Sequence, residues 1–198
     1  MGNTPYLIGI TGGIGSGKSI VSHLLRLMGV PVYDCDSEAK RLMCESEIIR
    51  GALVCVVGDK VYDESGRLDR AYLSSFMFAN VERVTLVNHI VHPVVRADFK
   101  RWAQRTGRAV VAVESAILFE AGMEADVDAV WVVHAPEAVR LQRAILRDAS
   151  TEEAVRRRMQ CQLSEQGYLE RADEVVRNDG RSSLVAQVLR LLHEIYDK

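Results

Sequence analysis

The stretch Gly12-Gly13-Ile14-Gly15-Ser16-Gly17-Lys18-Ser19 constrains this chain more than any other. It follows an apolar run of strand length, Tyr6–Thr11, and precedes a helix-period run, Ile20–Met28. This is the GxxxxGK[ST] pattern in the strand, loop and helix setting that it requires. Glycines let successive backbone N–H groups turn inward around phosphate oxygens, and the positive end of the following helix adds attraction. The residue types place Lys18 on the β and γ phosphates of a nucleoside triphosphate, expected to be ATP. They place the Ser19 hydroxyl on Mg²⁺, a hard cation that takes few protein ligands. Gly13, Ile14, Gly15, Ser16, Gly17 and Ile20 complete the expected nucleotide-binding set.

Strand-length apolar runs recur at Pro31–Tyr33, Ala109–Val113, Ala129–Val133 and Glu174–Arg177, with helix-period segments between most of them. That alternation predicts a five-stranded parallel α/β sheet flanked by helices. The 198 residues suffice for one domain, spanning 1–198, with room for one insertion. The insertion is expected at 37–107, too long for a simple crossover and mostly helical in pattern. Within it Val54–Val57 suits a strand or a short helix. Asp63-Glu64-Ser65-Gly66 spells the DxxG of a GTPase switch, yet no apolar strand leads into it and no [NT]KxD motif accompanies it. Two further helical blocks are expected, from Pro136, placed as a first-turn proline, through Asp148, and from Thr151 to about Glu170.

With 25 basic and 27 acidic residues the net charge is −2, so no global cationic field draws the chain to nucleic acid or anionic membrane. No stretch approaches the ~20 apolar residues of a membrane span. The four cysteines form no CxxC pair and suit reduced thiols. A cytoplasmic protein without nucleic-acid or membrane partners is expected.

Asp34 and Asp36 end the second strand, at the edge of a parallel sheet where ligands bind. Asp36 is the candidate general base for an acceptor hydroxyl and Asp34 a candidate for positioning the acceptor or the metal-bound waters; the plainer use of Asp36 or Ser37 is to cap the next helix. Arg140, Arg143 and Arg147 share one stripe of a helix, and Arg156, Arg157 and Arg158 follow on the next. Such runs are ordinarily solvated, but guanidinium forks also neutralise charge on a transferred phosphoryl group; the resemblance described next favours Arg143 and Arg147 for that use and leaves Arg140 to solvent. His89 and His92 have a metal-compatible i, i+3 spacing without further ligand types beside them, so a structural use is expected.

These residues resemble those of one family, the dephospho-coenzyme A kinases. The resemblance runs through Thr11–Ser19, the D-x-D of Asp34-Cys35-Asp36, Leu68-Asp69-Arg70 with Leu73, and His92-Pro93. It continues in Leu118-Phe119-Glu120, Arg143 with Arg147-Asp148, Gln162, Ala172-Asp173 and Asn178-Asp179-Gly180. It implies a P-loop kinase fold, with a helical acceptor-binding insertion and an arginine-rich lid over 137–171. It also implies transfer from MgATP to the ribose 3′-hydroxyl of dephospho-CoA, the last step of coenzyme A synthesis, with Lys18, Asp36, Arg143 and Arg147 at the chemistry. His92 and Arg96 fall in the implied acceptor region. Asn178 and Gly180 fall where related kinases meet adenine, although Asn-Asp-Gly equally makes a plain turn. Two positions depart from the family's habit, Ala116 for proline and Ile20 for a small residue, and Glu114 matches no fixed acid. A kinase of nucleosides or nucleoside monophosphates and a nucleotide-responsive regulatory ATPase are the alternatives; the D-x-D and the C-terminal motifs speak against the first.

Overall fold

Five short apolar runs, rich in β-branched residues that extend readily, line up as one sheet. The computed structural model describes residues 4–78 and 80–197; the extreme ends of the expected span 1–198, and Ala79, lie outside the described residues. In chain order the elements are β1 (Tyr6–Thr11), α1 (Lys18–Leu27), β2 (Val32–Asp34), α2 (Cys35–Glu45), α3 (Glu47–Val57), α4 (Arg70–Phe78) and α5 (Val81–Arg105). There follow β3 (Val110–Glu114), β4 (Ala129–His134), α6 (Glu137–Asp148), α7 (Glu152–Gln160), α8 (Glu165–Glu170), β5 (Glu174–Arg177) and α9 (Leu184–Tyr196). Contacts divide the chain into two units, one from Met1–Tyr33 with Thr106–Lys198, the other from Asp34–Arg105.

The first unit holds the sheet, in the order β2-β3-β1-β4-β5. β1 is central, paired in parallel with β3 (Ile8 beside Ala112) and β4 (Ile10 beside Trp131), and β4 pairs in parallel with β5 (Val132 beside Val175). Helices α1 and α9 cover one face, where Ile8, Ile10, Val21, Leu25, Trp131 and Leu191 are buried together. The opposite face is closed by Leu118: a Cβ at Gly9 would come within 2.8 Å of its Cδ1. Burial on both faces explains why the strands read as unbroken apolar runs. After β1 the chain turns one way to β2 and β3 and later the other way to β4 and β5, so the carboxyl end of β1 lies at the switch point where parallel sheets bind ligands.

The expected helical block Thr151–Glu170 is two helices. Chain direction changes after Gln160, and Ser164 opens α8 by accepting the Gly167 N–H on its hydroxyl at 3.0 Å. A serine is a preferred N-cap, and its hydroxyl competes with helix continuation.

The second unit is helical. Val54–Val57 belongs to α3, which Ser46 caps by accepting the Ile49 N–H. Asp63 is a turn residue: its Oδ1 accepts from the Ser65 N–H, the Ser65 hydroxyl and the Arg67 N–H, which hold its carboxyl down to about 2. In α5, Val87, Val91, Val95, Phe99 and Ala103 recur every fourth residue as one buried stripe, while Pro93 sits at an exposed position. Phe99 is fully buried. Phe99→Ala should therefore destabilise this unit by ~3–5 kcal/mol, read from a urea melt followed by a probe within Asp34–Arg105.

Candidate active site

The loop between β1 and α1 is held at its two halves by different parts of the first unit. At the far end, Gly17 adopts φ 97°, and a Cβ there would stand 2.1 Å from Asn178 Nδ2. That amide donates to Ser16 O at 2.7 Å from a side chain 6% exposed. Asn178 is fixed in turn by its own N–H, which donates to His134 O at 2.7 Å. At the near end, Gly15 adopts φ 76°, and a Cβ would fall 2.2 Å from Arg140 O. Any side chain at either glycine would drive the loop off its neighbours, so the motif's glycines answer to packing as well as to backbone conformation.

Arg140 does not point into solvent as the stripe argument expected. Its side chain is 12% exposed; Nε donates to Ala135 O at 3.0 Å, and Nη1 lies 2.4 Å from where a Gly13 Cβ would be. Sequence spacing gives the helical face, and the loop that covers that face is over a hundred residues away. Glu165, itself exposed, stands 3.6 Å from Arg140, a pair of little weight, and 3.7 Å from the His134 ring. Gln162, quoted in the sequence without a role, meets the loop: its Oε1 accepts the Ile14 N–H at 2.8 Å. The Ile14 side chain packs with Ile145 and Met159 around Leu141, Ala144 and Val155.

Lys18 Nζ donates to Gly12 O at 2.8 Å and to Gly13 O at 3.4 Å, which holds the ammonium along the loop. Ser19 is exposed in the first turn of α1, and Ile20, 49% exposed, follows it. Arg143 Nη1 donates to Asn178 O at 3.1 Å, so the candidate arginine and the buried asparagine meet. Arg147 instead pairs with Asp148, 2.7 Å away, and is 64% exposed. Asp148 also receives Arg158 at 2.9 Å, and the Arg147 and Arg158 guanidinium groups hold its carboxyl down to about 2. Asp179 makes the turn that Asn-Asp-Gly predicts, accepting the Arg181 and Ser182 N–H groups, and Gly180 takes φ 81° in open space. A cavity of about 270 Å³ lies at the carboxyl ends of β4 and β5, lined by His134, Pro136, Leu169, Val175, Arg177 and Asp179.

In the helical unit, Asp34 rather than Asp36 or Ser37 caps α2. Its Oδ1 accepts the Asp36 N–H at 3.0 Å and the Ser37 N–H at 3.3 Å, and its Oδ2 accepts the Ser37 hydroxyl at 2.8 Å. A capping carboxylate at a helix start also meets the positive end of the dipole. Asp36 is left exposed in the first turn. His92 and Arg96 are half-buried in α5. Burial, with the nearby His89 charge, lowers the His92 pKa, which keeps the ring neutral in the fold. Among the described residues no group of three or more His, Cys, Asp or Glu side chains could hold a metal. No helix among the described residues is long and apolar enough to cross a membrane.

Other motif residues are structural. Asp173 accepts the Val130 N–H at 2.7 Å while its own N–H donates to Val130 O, so it fastens β4 to the start of β5. Leu118 is buried in the sheet face, and Phe119 sits between the Tyr168 ring and the Arg171 guanidinium.

Against known proteins, residues 6–183 match the family model for dephospho-CoA kinase. A dephospho-CoA kinase from Bacteroides fragilis is 41% identical over 192 residues, covering 96% of this chain and 93% of that protein. The crystal structure of TT1252 from Thermus thermophilus superposes with a TM-score of 0.83 at 34% identity, covering 96% of this chain and 97% of that one. A shikimate kinase from Acinetobacter baumannii, 20% identical with a TM-score of 0.54 over 98% of this chain and 95% of its own, shares the fold. The sheet with its phosphate loop is thus the P-loop kinase fold.

The depressed His92 pKa has a measurable consequence. The unfolded chain takes up a proton at about pH 6.5 that the folded ring resists, so stability contributed by His92 is complete above that pH and is lost as pH falls toward the lower folded pKa. Urea melts of wild type and His92→Gln across pH 5 to 8 should converge in slope above pH ~6.5, with the wild type falling more steeply below it.

Proposed function

The chain belongs to the dephospho-CoA kinase family, and on that footing we propose that it transfers the terminal phosphoryl group of ATP to the ribose 3′-hydroxyl of dephospho-CoA, giving coenzyme A and ADP. The observation that carries this reading is a family match that spans residues 6–183 and takes in both the phosphate loop and the D-x-D.

Each residue's part follows from its chemistry. The loop amides and the Lys18 ammonium gather the β and γ phosphates, with Lys18 reached by rotating a flexible stem away from Gly12 O and Gly13 O. The exposed Ser19 hydroxyl, a hard oxygen donor at the helix start, fits Mg²⁺, which needs few protein ligands. When bound, that ion neutralises phosphate charge. Asp36 accepts the proton of the ribose hydroxyl, whose oxygen forms the new bond to phosphorus as the bond to the β-phosphate oxygen breaks and ADP leaves with that oxygen. Asp34, engaged as the cap, sets the turn that carries Asp36. Arg143 and Arg147 supply guanidinium charge to the transferred group from the lid, 137–171. His92 and Arg96 contact the acceptor from the helical insertion, the ring of His92 as a neutral hydrogen-bonding group. The cavity beside Asn178, Asp179 and Gly180 receives the adenine, lined as it is by Pro136, Leu169 and Val175.

An acceptor panel tests the reaction: ADP release from ATP measured with dephospho-CoA, a nucleoside, a nucleoside monophosphate or no acceptor. Release that depends on dephospho-CoA is expected; equal release without acceptor, or with a nucleoside monophosphate in its place, would overturn the reading. In the same assay Lys18→Ala should lower turnover by about 10²–10³-fold, as expected for loss of one charge-stabilising contact. Asp36→Asn should lower kcat by about 10²–10⁴-fold and leave ATP affinity within about twofold; an unchanged kcat would remove Asp36 as the base.

A further inference from the structure

We propose that Gln162 is a positioning residue for this reaction: its side-chain carbonyl ties the tip of the phosphate loop to the lid segment and so keeps Arg143 in register with the transferred phosphoryl group. The inference rests on the kinase reading above and adds to it a residue that touches neither substrate.

Three consecutive loop residues meet the segment that follows β4. The Arg140 guanidinium lies over Gly13, the Ile14 side chain packs with Ile145 and Met159, and Gly15 abuts Arg140 O. The Ile14 N–H, the third amide of the loop, is taken by Gln162 Oε1 at 2.8 Å, a bond linking residues 148 positions apart. An N–H has one proton to give, so this amide serves the tether while the phosphates are left to the other loop amides. Gln162 is itself held: its N–H donates to Met159 O at 3.1 Å, and two residues later Ser164 caps α8. The acceptor therefore comes from an ordered turn and has little freedom to wander.

The same tip is fastened to the helix that carries Arg143. Leu141 and Ala144 flank Arg143 in sequence on α6 and lie in the small core against which Ile14 packs. A loop of glycines is otherwise conformationally loose, so losing the Gln162 carbonyl lets the tip and α6 shift relative to each other. Ground-state grip on ATP comes from the remaining amides and Lys18 and should survive. Charge stabilisation by Arg143 depends on its placement to within about an ångström and should not.

The test compares Gln162→Met, which keeps length but removes the acceptor, with Gln162→Glu, which keeps it. Two quantities are read: hydrogen exchange at the Ile14 amide, by NMR, and steady-state kinetics with ATP and dephospho-CoA. The Met variant should exchange at Ile14 about tenfold faster and lose about tenfold in kcat, with KM for ATP within twofold. The Glu variant should retain slow exchange. Should the Met variant melt early, Gln162→Asn, whose amide falls one methylene short, repeats the comparison. Wild-type exchange and wild-type kcat in the variants lacking the contact would overturn the tether, as would a loss confined to KM. Those outcomes leave the reaction standing. Absence of acceptor-dependent ADP release from the wild type would instead sink the reaction, and Ile14 exchange would still report on the tether.

Discussion

Glycine backbone packed too closely on its neighbours to admit a Cβ is the constraint on which the rest of this structure depends. At Gly15 the phosphate loop lies against the main chain of α6, and at Gly17 against the amide of Asn178, closer in both cases than a Cβ permits. The loop therefore cannot be considered apart from the start of α6 and the turn after β5. Its conformation is fixed by parts of the chain that follow it by more than a hundred residues. The sheet supplies the frame, because β1, β4 and β5 are adjacent and parallel and end at one edge.

Charge across α6 and α7 is distributed unevenly, and that unevenness separates the arginines more sharply than their number does. Arg156 is met by Glu137 and Glu152, Arg157 by Glu153, and Arg147 with Arg158 by Asp148. Exposed pairs of this kind contribute little to stability, but each dilutes the field that its guanidinium presents to an anion. Arg143 bonds a neutral carbonyl, that of Asn178, at the loop's own support. A guanidinium with no carboxylate partner among the described residues interacts with developing phosphoryl charge more strongly than one already paired. By that measure Arg143 is better suited to the transferred group than Arg147, although the two look equivalent on a helical stripe.

What could be read from the sequence, and what could not, divides along the distance over which information travels. The strand–loop–helix at Thr11–Ser19 and the apolar runs of the sheet are local patterns with a physical period, and they stand as strands and loop in the structure. The Asn-Asp-Gly turn is equally local. What stayed hidden concerns partners remote in sequence or a close choice between neighbours. Arg140 looked solvated because nothing near it in the chain announces the loop that covers it. Gln162 and Asn178 act through bonds to Ile14 and Ser16, which are 148 and 162 positions away. Asp34, Asp36 and Ser37 are all competent caps, and composition alone does not choose among them. The Thr151–Glu170 block kept helical composition across a break that one serine hydroxyl enforces.

The two ends of the loop are held by chemically different means, and the difference bears on how the loop can work. Asn178 grips the Ser16 carbonyl from a buried, rigid turn at the end of β5, so the half of the loop leading into α1 is pinned to the sheet. The other half is gripped from the segment that follows β4 by Gln162, Arg140 and the small core around Ile14. Ordering a flexible loop around an anion costs conformational entropy at the moment of binding, and a loop already ordered avoids that cost. Pinning one half to the sheet fixes the site for the phosphates. Fastening the other half to the segment that bears Arg143 makes the position of that guanidinium depend on the shape of the loop, which is how the transfer proposed above would couple phosphate binding to charge placement.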